Sequence, residues 1–300
     1  MTTEQIRLDR GGGVRTPEFA TVREDLGTVL GGTVVITGLA IDGWAHKNVI
    51  TTLEGFFTPY HAVLYTGYAI TTAWIVRMAY RRRHRFPEWW RDGWPYGYRL
   101  GMIGALVFAL GGFADMIWHE TIGFEVGLLP SFSPSHIVAS VGGILLGTSP
   151  LRSWWGTGEG GLRSLAGVLS MTYAVMGALV MLNYGASMMT TAPTQEYEPV
   201  VGVDYGGIID TPEEFLAVQG VASYVITTLL LTIPLLLMHR RRAVLGAGTA
   251  LAAGVVVRLM VINEFPQPYL TVCLAAIVAA FLADIALVRL DAVRGADAPL

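Results

Sequence analysis

Two stretches of this 300-residue chain repeat one arrangement of residue types: Asp-x3-His, a short loop, then Pro-x-His. Together they hold four of its six histidines. The first copy is Asp42, His46, Pro59 and His61; the second is Asp115, His119, Pro134 and His136. Carboxylate and imidazole in such a set are ligands for copper, zinc, non-haem iron or manganese, with no thiolate to narrow the choice. The metal candidates are therefore Asp42, His46, His61, Asp115, His119 and His136. Glu54, Glu120 and Glu125 lie close by in sequence and are candidates for further ligands, proton acceptors or catalytic groups.

The elements that must position these residues follow from spacing. Residues four apart share one face of an α-helix, so Asp42 with His46, and Asp115 with His119, point at one spot from a helix end. Thr58-Pro59 and Ser133-Pro134 read as helix starts, a hydroxyl cap followed by proline in the first turn. His61 and His136 then fall in the first turn of the next helix. Each copy is thus a helix hairpin able to offer Asp, His and His. The match extends outward, with Gly31 and Gly38 preceding Asp42 as Gly104 and Gly111 precede Asp115. His-x-Val-x3-Gly follows in both copies (Val63 and Gly67; Val138 and Gly142). This reads as a duplicated two-helix unit with a two-residue insertion in the second loop.

The setting is a membrane. The chain is 53% hydrophobic and 14% charged, with mean hydropathy +0.51, outside the range of soluble domains. Apolar runs of spanning length lie at about 26–45, 57–77, 100–118, 135–151, 164–183, 215–238, 243–262 and 268–288. The expected fold is an all-α, multi-pass bundle of about eight transmembrane helices. Its parts are an N-terminal cytoplasmic segment 1–25, a motif-bearing unit 26–151 with repeats at about 26–77 and 100–151, and a second half 152–300. Arginines crowd alternate loops (Arg81, Arg82, Arg83 and Arg85; Arg152 and Arg163; Arg240, Arg241 and Arg242). Because basic residues stay on the cytoplasmic side, both termini are expected inside and both motifs outside. The acidic loop at about 184–214 falls on the motif side, as a lid, a docking surface or a solvated excursion. Met181, Met188 and Met189 near it are thioethers that either help deliver cuprous ion or simply pack. Asp284 is expected at interfacial water or Arg289, and Arg258 as a neutraliser of Glu264 or Asp115. The tryptophans Trp44, Trp118, Trp154 and Trp155 are expected in interfacial belts. A single cysteine, Cys273, excludes intramolecular disulfides and thiolate-rich sites. A net charge of −3 and the absence of a phosphate-binding fingerprint leave no case for nucleic-acid partners.

The strings DGWAH and FFTPYH make the stretch from Asp42 to Tyr68 resemble a set of uncharacterised polytopic membrane proteins from high-GC bacteria. The Asp-x3-His and following His also resemble the membrane copper site of the third subunit of particulate methane and ammonia monooxygenases. That resemblance implies a copper site with ligands Asp42, His46 and His61, or Asp115, His119 and His136. This chain departs from it in a longer gap to the second His, in duplication, and in lacking that family's soluble copper domain.

These observations support an integral metalloprotein of the cytoplasmic membrane. Copper is the leading ion, zinc the alternative, and copper-dependent oxidoreductase (monooxygenase-like) chemistry the enzyme reading. The implied partners are the bilayer, other membrane subunits and an extracytoplasmic electron donor. A transmembrane zinc hydrolase, with a nearby Glu as base, uses the same ligands. An ion- or proton-coupled transporter is the third reading.

Overall fold

In a computed structural model, residues 18–49, 55–123, 132–182, 185–187, 192, 195–196, 212–240, 242–264 and 267–296 are described. Among them there is helix and no strand. The helices are α1 (Val22–Asn48), α2 (Pro59–Arg81), α3 (Trp89–Asp92), α4 (Tyr98–Thr121), α5 (Pro134–Gly147), α6 (Ser149–Thr157), α7 (Leu162–Met181), α8 (Pro212–His239), α9 (Ala247–Ile262) and α10 (Gln267–Ala296).

Five of these are long and apolar enough to cross a membrane: α1, α4, α7, and the apolar parts of α8 and α10 at Glu214–His239 and Leu270–Val293. The other three apolar segments also hold helices. α2 has 23 residues but carries His, Thr and Tyr along its length. α9 has 16 residues, about 24 Å at 1.5 Å per residue, short of a hydrocarbon core about 30 Å thick. The segment 135–151 is not one helix. α5 ends at Gly147, where Thr148 Oγ1 donates to the Ile144 carbonyl at 2.6 Å. Pro150, which has no N–H to continue the ladder, sits in the first turn of α6.

α1 lies along α2 and α4 along α5, and both hairpins pack through glycines. A Cβ on Gly38 would sit 2.5 Å from the Leu64 backbone, and one on Gly67 2.5 Å from that of Val35. In the second hairpin a Cβ on Gly111 would meet Ala139 N at 2.4 Å, and one on Gly142 would meet Phe108 N at 2.3 Å. Only glycine allows helix backbones to approach this closely. α7 packs against α1, α5, α6 and α9, and carries Val168, Met171, Val175 and Leu179 into the core. α8 and α10 lie outside, with 17% and 6% of their apolar windows buried. Exposed Val221, Val225, Leu229, Leu236, Val278, Phe281 and Leu282 line them. Apolar surface of this extent needs lipid or another chain to cover it.

The end of the bundle where α1 begins is tied by buried charges. Thr21 and Glu24 form a capping box at the start of α1, so the helix takes in part of the polar stretch read as the N-terminal segment. Glu24 also accepts two bonds from Arg82 at 2.9 Å. Burial alone would lower the Arg82 pKa, but Glu24 and Glu18 hold it above its ordinary value. Asp25, fully buried, accepts from Tyr98 Oη at 2.7 Å, Arg163 at 3.0 Å and Ser153 Oγ at 3.1 Å, linking α1 to α4, α6 and α7. Asp284 does not reach water or Arg289. It is 1% exposed and accepts from the Gly248 and Thr249 amides, each at 2.9 Å, capping α9 from α10. Trp154 is buried over Gly167, and its Nε1 donates to the Glu159 carbonyl.

Candidate metal centre

At the other end of the bundle, α1 and α4 stop where α2 and α5 start, and the two motifs meet. Asp42 and His46 occupy the last turns of α1. Thr58 caps α2, its hydroxyl accepting from the His61 amide at 3.1 Å, with Pro59 in the first turn. This fixes the His61 backbone as the Thr-Pro-x-His order predicts. In the second hairpin Ser133 and Pro134 occupy the same places, but the Ser133 hydroxyl pairs with Ser135 Oγ at 2.6 Å instead of capping the helix. Ser135 Oγ donates in turn to Asp115 Oδ1 at 3.1 Å.

Within each hairpin the aspartate faces both of its histidines. Asp42 lies 3.7 Å from His46 Nε2 and 3.4 Å from His61 Nε2. Asp115 lies 3.8 Å from His119 Nε2 and 3.1 Å from His136 Nε2. The hairpins also face each other. The His61 and His119 ring centroids are 5.6 Å apart, His46 and His119 6.1 Å, and His46 and His136 6.4 Å. The two copies therefore contribute to one cluster of four imidazoles and two carboxylates.

Among the described residues, two sets of three can offer one ligand atom each within 4.8 Å of one another: His46, His61 and His119, and Asp115, His119 and His136. The second is the Asp-His-His set of one hairpin. The first crosses between the hairpins, taking its third member from α4. The histidines range from buried to partly exposed, with side-chain exposures of 0% at His119, 4% at His61, 12% at His46 and 19% at His136. Buried, closely spaced imidazole and carboxylate donors fit a transition-metal ion.

The His61 ring is oriented from behind. Its Nδ1–H donates to the Phe56 carbonyl at 2.6 Å, which leaves the Nε2 lone pair facing Asp42 and the cluster. The Phe56 ring lies tilted against His61 at 4.8 Å and 6.1 Å from His119, forming an apolar wall. Glu120, at the end of α4, accepts from the Phe56 amide at 3.2 Å. A second-hairpin carboxylate thus holds the loop that orients a first-hairpin histidine. Glu54, Glu125, Met188 and Met189 lie outside the described residues, as does most of the loop 184–214.

Sequence reasoning overlooked Phe56, Ser135 and Tyr65. The Tyr65 ring stands 6.1 Å from His61 and 5.9 Å from Phe108. Ser135 carried a signal, being placed beside His136 in Ser-Pro-Ser-His. Phe56 acts through its backbone, which no residue type announces. Arg258 is buried in α9, while Glu264 accepts from Trp44 Nε1 at 3.3 Å, joining α1 to the turn after α9.

No family model, curated protein or solved structure matches the chain.

Proposed function

We propose that the chain is an integral membrane metalloprotein whose Asp/His centre lies at the extracytoplasmic boundary of the cytoplasmic membrane. Convergence of the six motif residues from two hairpins carries this reading. Two buried carboxylates at one end of an apolar bundle are costly unless cations compensate them. Copper is the proposed ion, because imidazole with carboxylate suits it and divalent copper heads the affinity order among first-row metals. Bound copper would supply one-electron chemistry, which fits oxygen activation by this chain or by a complex containing it.

The proposed topology has eight helices crossing or entering the membrane and both termini inside, supported by the arginine-rich alternate loops. Duplication of the hairpin is part of the same proposal. Gly38 meets Leu64 and Gly67 meets Val35, as Gly111 meets Ala139 and Gly142 meets Phe108, at positions matched by the sequence repeat.

The test is elemental analysis of detergent-purified protein beside an H46A/H61A/H119A/H136A variant of matched helicity. Near-stoichiometric copper, lost in the variant, is expected. Zinc in its place redirects the reading to metal-assisted hydrolysis. No metal after reconstitution, or equal metal in both proteins, overturns the metal reading.

A further inference from the structure

We infer that the centre takes two ions, not one, and that His119 is a ligand to both. The inference rests on the proposed metal reading and specifies what that site holds. Four-coordinate binding of one ion uses four donors, whereas this cluster presents six. Five of the six fall by distance into two sets that overlap at a single residue. His46, His61 and His119 form one set and Asp115, His119 and His136 the other, each within 4.8 Å. Asp42, 3.4 Å from His61 Nε2 and 3.7 Å from His46 Nε2, gives the first set a fourth donor. Ser135, bonded to Asp115 Oδ1, holds the carboxylate of the second.

His119 is suited to sharing. Its side chain is 0% exposed and both ring nitrogens are buried. Imidazole has two ring nitrogens and can serve one ion with each, releasing its N–H proton as the second ion binds. The ring stands 5.6 Å from His61, 6.1 Å from His46 and 6.4 Å from His136, centroid to centroid, within reach of both sets.

The experiment titrates purified full-length protein with Cu(II), removes weakly held metal, and reads copper per chain together with the paramagnetic resonance signal. Wild type is expected to hold two ions, and H136A and H61A one each. H119A is expected to bind at either position at least about 10-fold more weakly. The wild-type signal should integrate to less than its copper content through coupling between the ions, and that of H136A to all of it. One ion in wild type, absent from the quadruple variant, overturns the two-ion inference and leaves the metal reading standing. An H119A protein that keeps one tightly held ion overturns the sharing. No ion in reconstituted wild type overturns both. Since H119A removes a buried ring, H119N and a melting curve accompany it, and the wild-type stoichiometry is decisive without any variant.

Discussion

Glu120 on α4 accepts a hydrogen bond from the Phe56 amide, and the Phe56 carbonyl accepts one from His61 Nδ1, so a side chain of one hairpin sets the ring of a ligand in the other. A group bonded directly to a ligating histidine changes metal affinity about 10- to 100-fold when removed, and Glu120 acts one residue further out. E120A is expected to weaken copper binding by about 10-fold with little change in melting temperature. E120Q, which keeps an acceptor oxygen, should lose much less. Competition with a chromophoric chelator measures both. Equal affinity in E120A and wild type would reject the linkage.

Ser135 makes the parallel test in the second hairpin. S135A removes one donor from Asp115 and is expected to weaken the second ion by a few fold, about 1 kcal/mol for one hydrogen bond. The ion bound by His46 and His61 should be unaffected. Stepwise displacement by a chelator separates the two.

The glycine contacts predict a graded stability response. G38A and G111A each place a methyl group within 2.5 Å of facing backbone, which cannot move as a flexible side chain can. Overpacking of this kind costs about 1–3 kcal/mol. Both variants should unfold at lower temperature in detergent and hold less metal. G147A, with nothing within 4 Å of the added carbon, is the control.

At the opposite end, D25A removes the buried carboxylate that Arg163, Tyr98 and Ser153 share as an acceptor. Breaking such a buried pair costs about 3–5 kcal/mol. E159A, which removes the 58% exposed partner of the same arginine, should cost at most about 1 kcal/mol. Chemical denaturation in detergent compares them. Similar losses would mean that Asp25 contributes no more than a surface charge.

Metal loading should fall as pH is lowered, because imidazole and carboxylate coordinate only when deprotonated, so protons compete with the ion. Copper retention after equilibration at a series of pH values checks the sign. Retention that rises toward acid would exclude these six residues as ligands.

Much of this was legible in the sequence. The i, i+4 spacing placed Asp42 with His46 and Asp115 with His119, and Thr58-Pro59 announced both a helix start and the position of His61. Neither copy said which partner it would meet. The meeting of His46 and His61 with His119 depends on how two hairpins pack, and local periodicity does not encode that. Thr21-x-x-Glu24 was a readable helix start that the polar composition around it obscured. Asp284 was placed at the interface instead of in a cap because its partners are backbone amides of another helix. The break after Gly147 was signalled by Pro150 but hidden inside a continuous apolar run.

The glycine seams also bear on motion. Two helices touching backbone to backbone have few side-chain rotamers between them to rearrange, so each hairpin behaves as a stiff blade. Relative movement of the two hairpins is therefore expected to leave the packing inside each one unchanged. The hydrogen bond that Glu120 accepts from the Phe56 amide crosses between the two blades and opposes that movement.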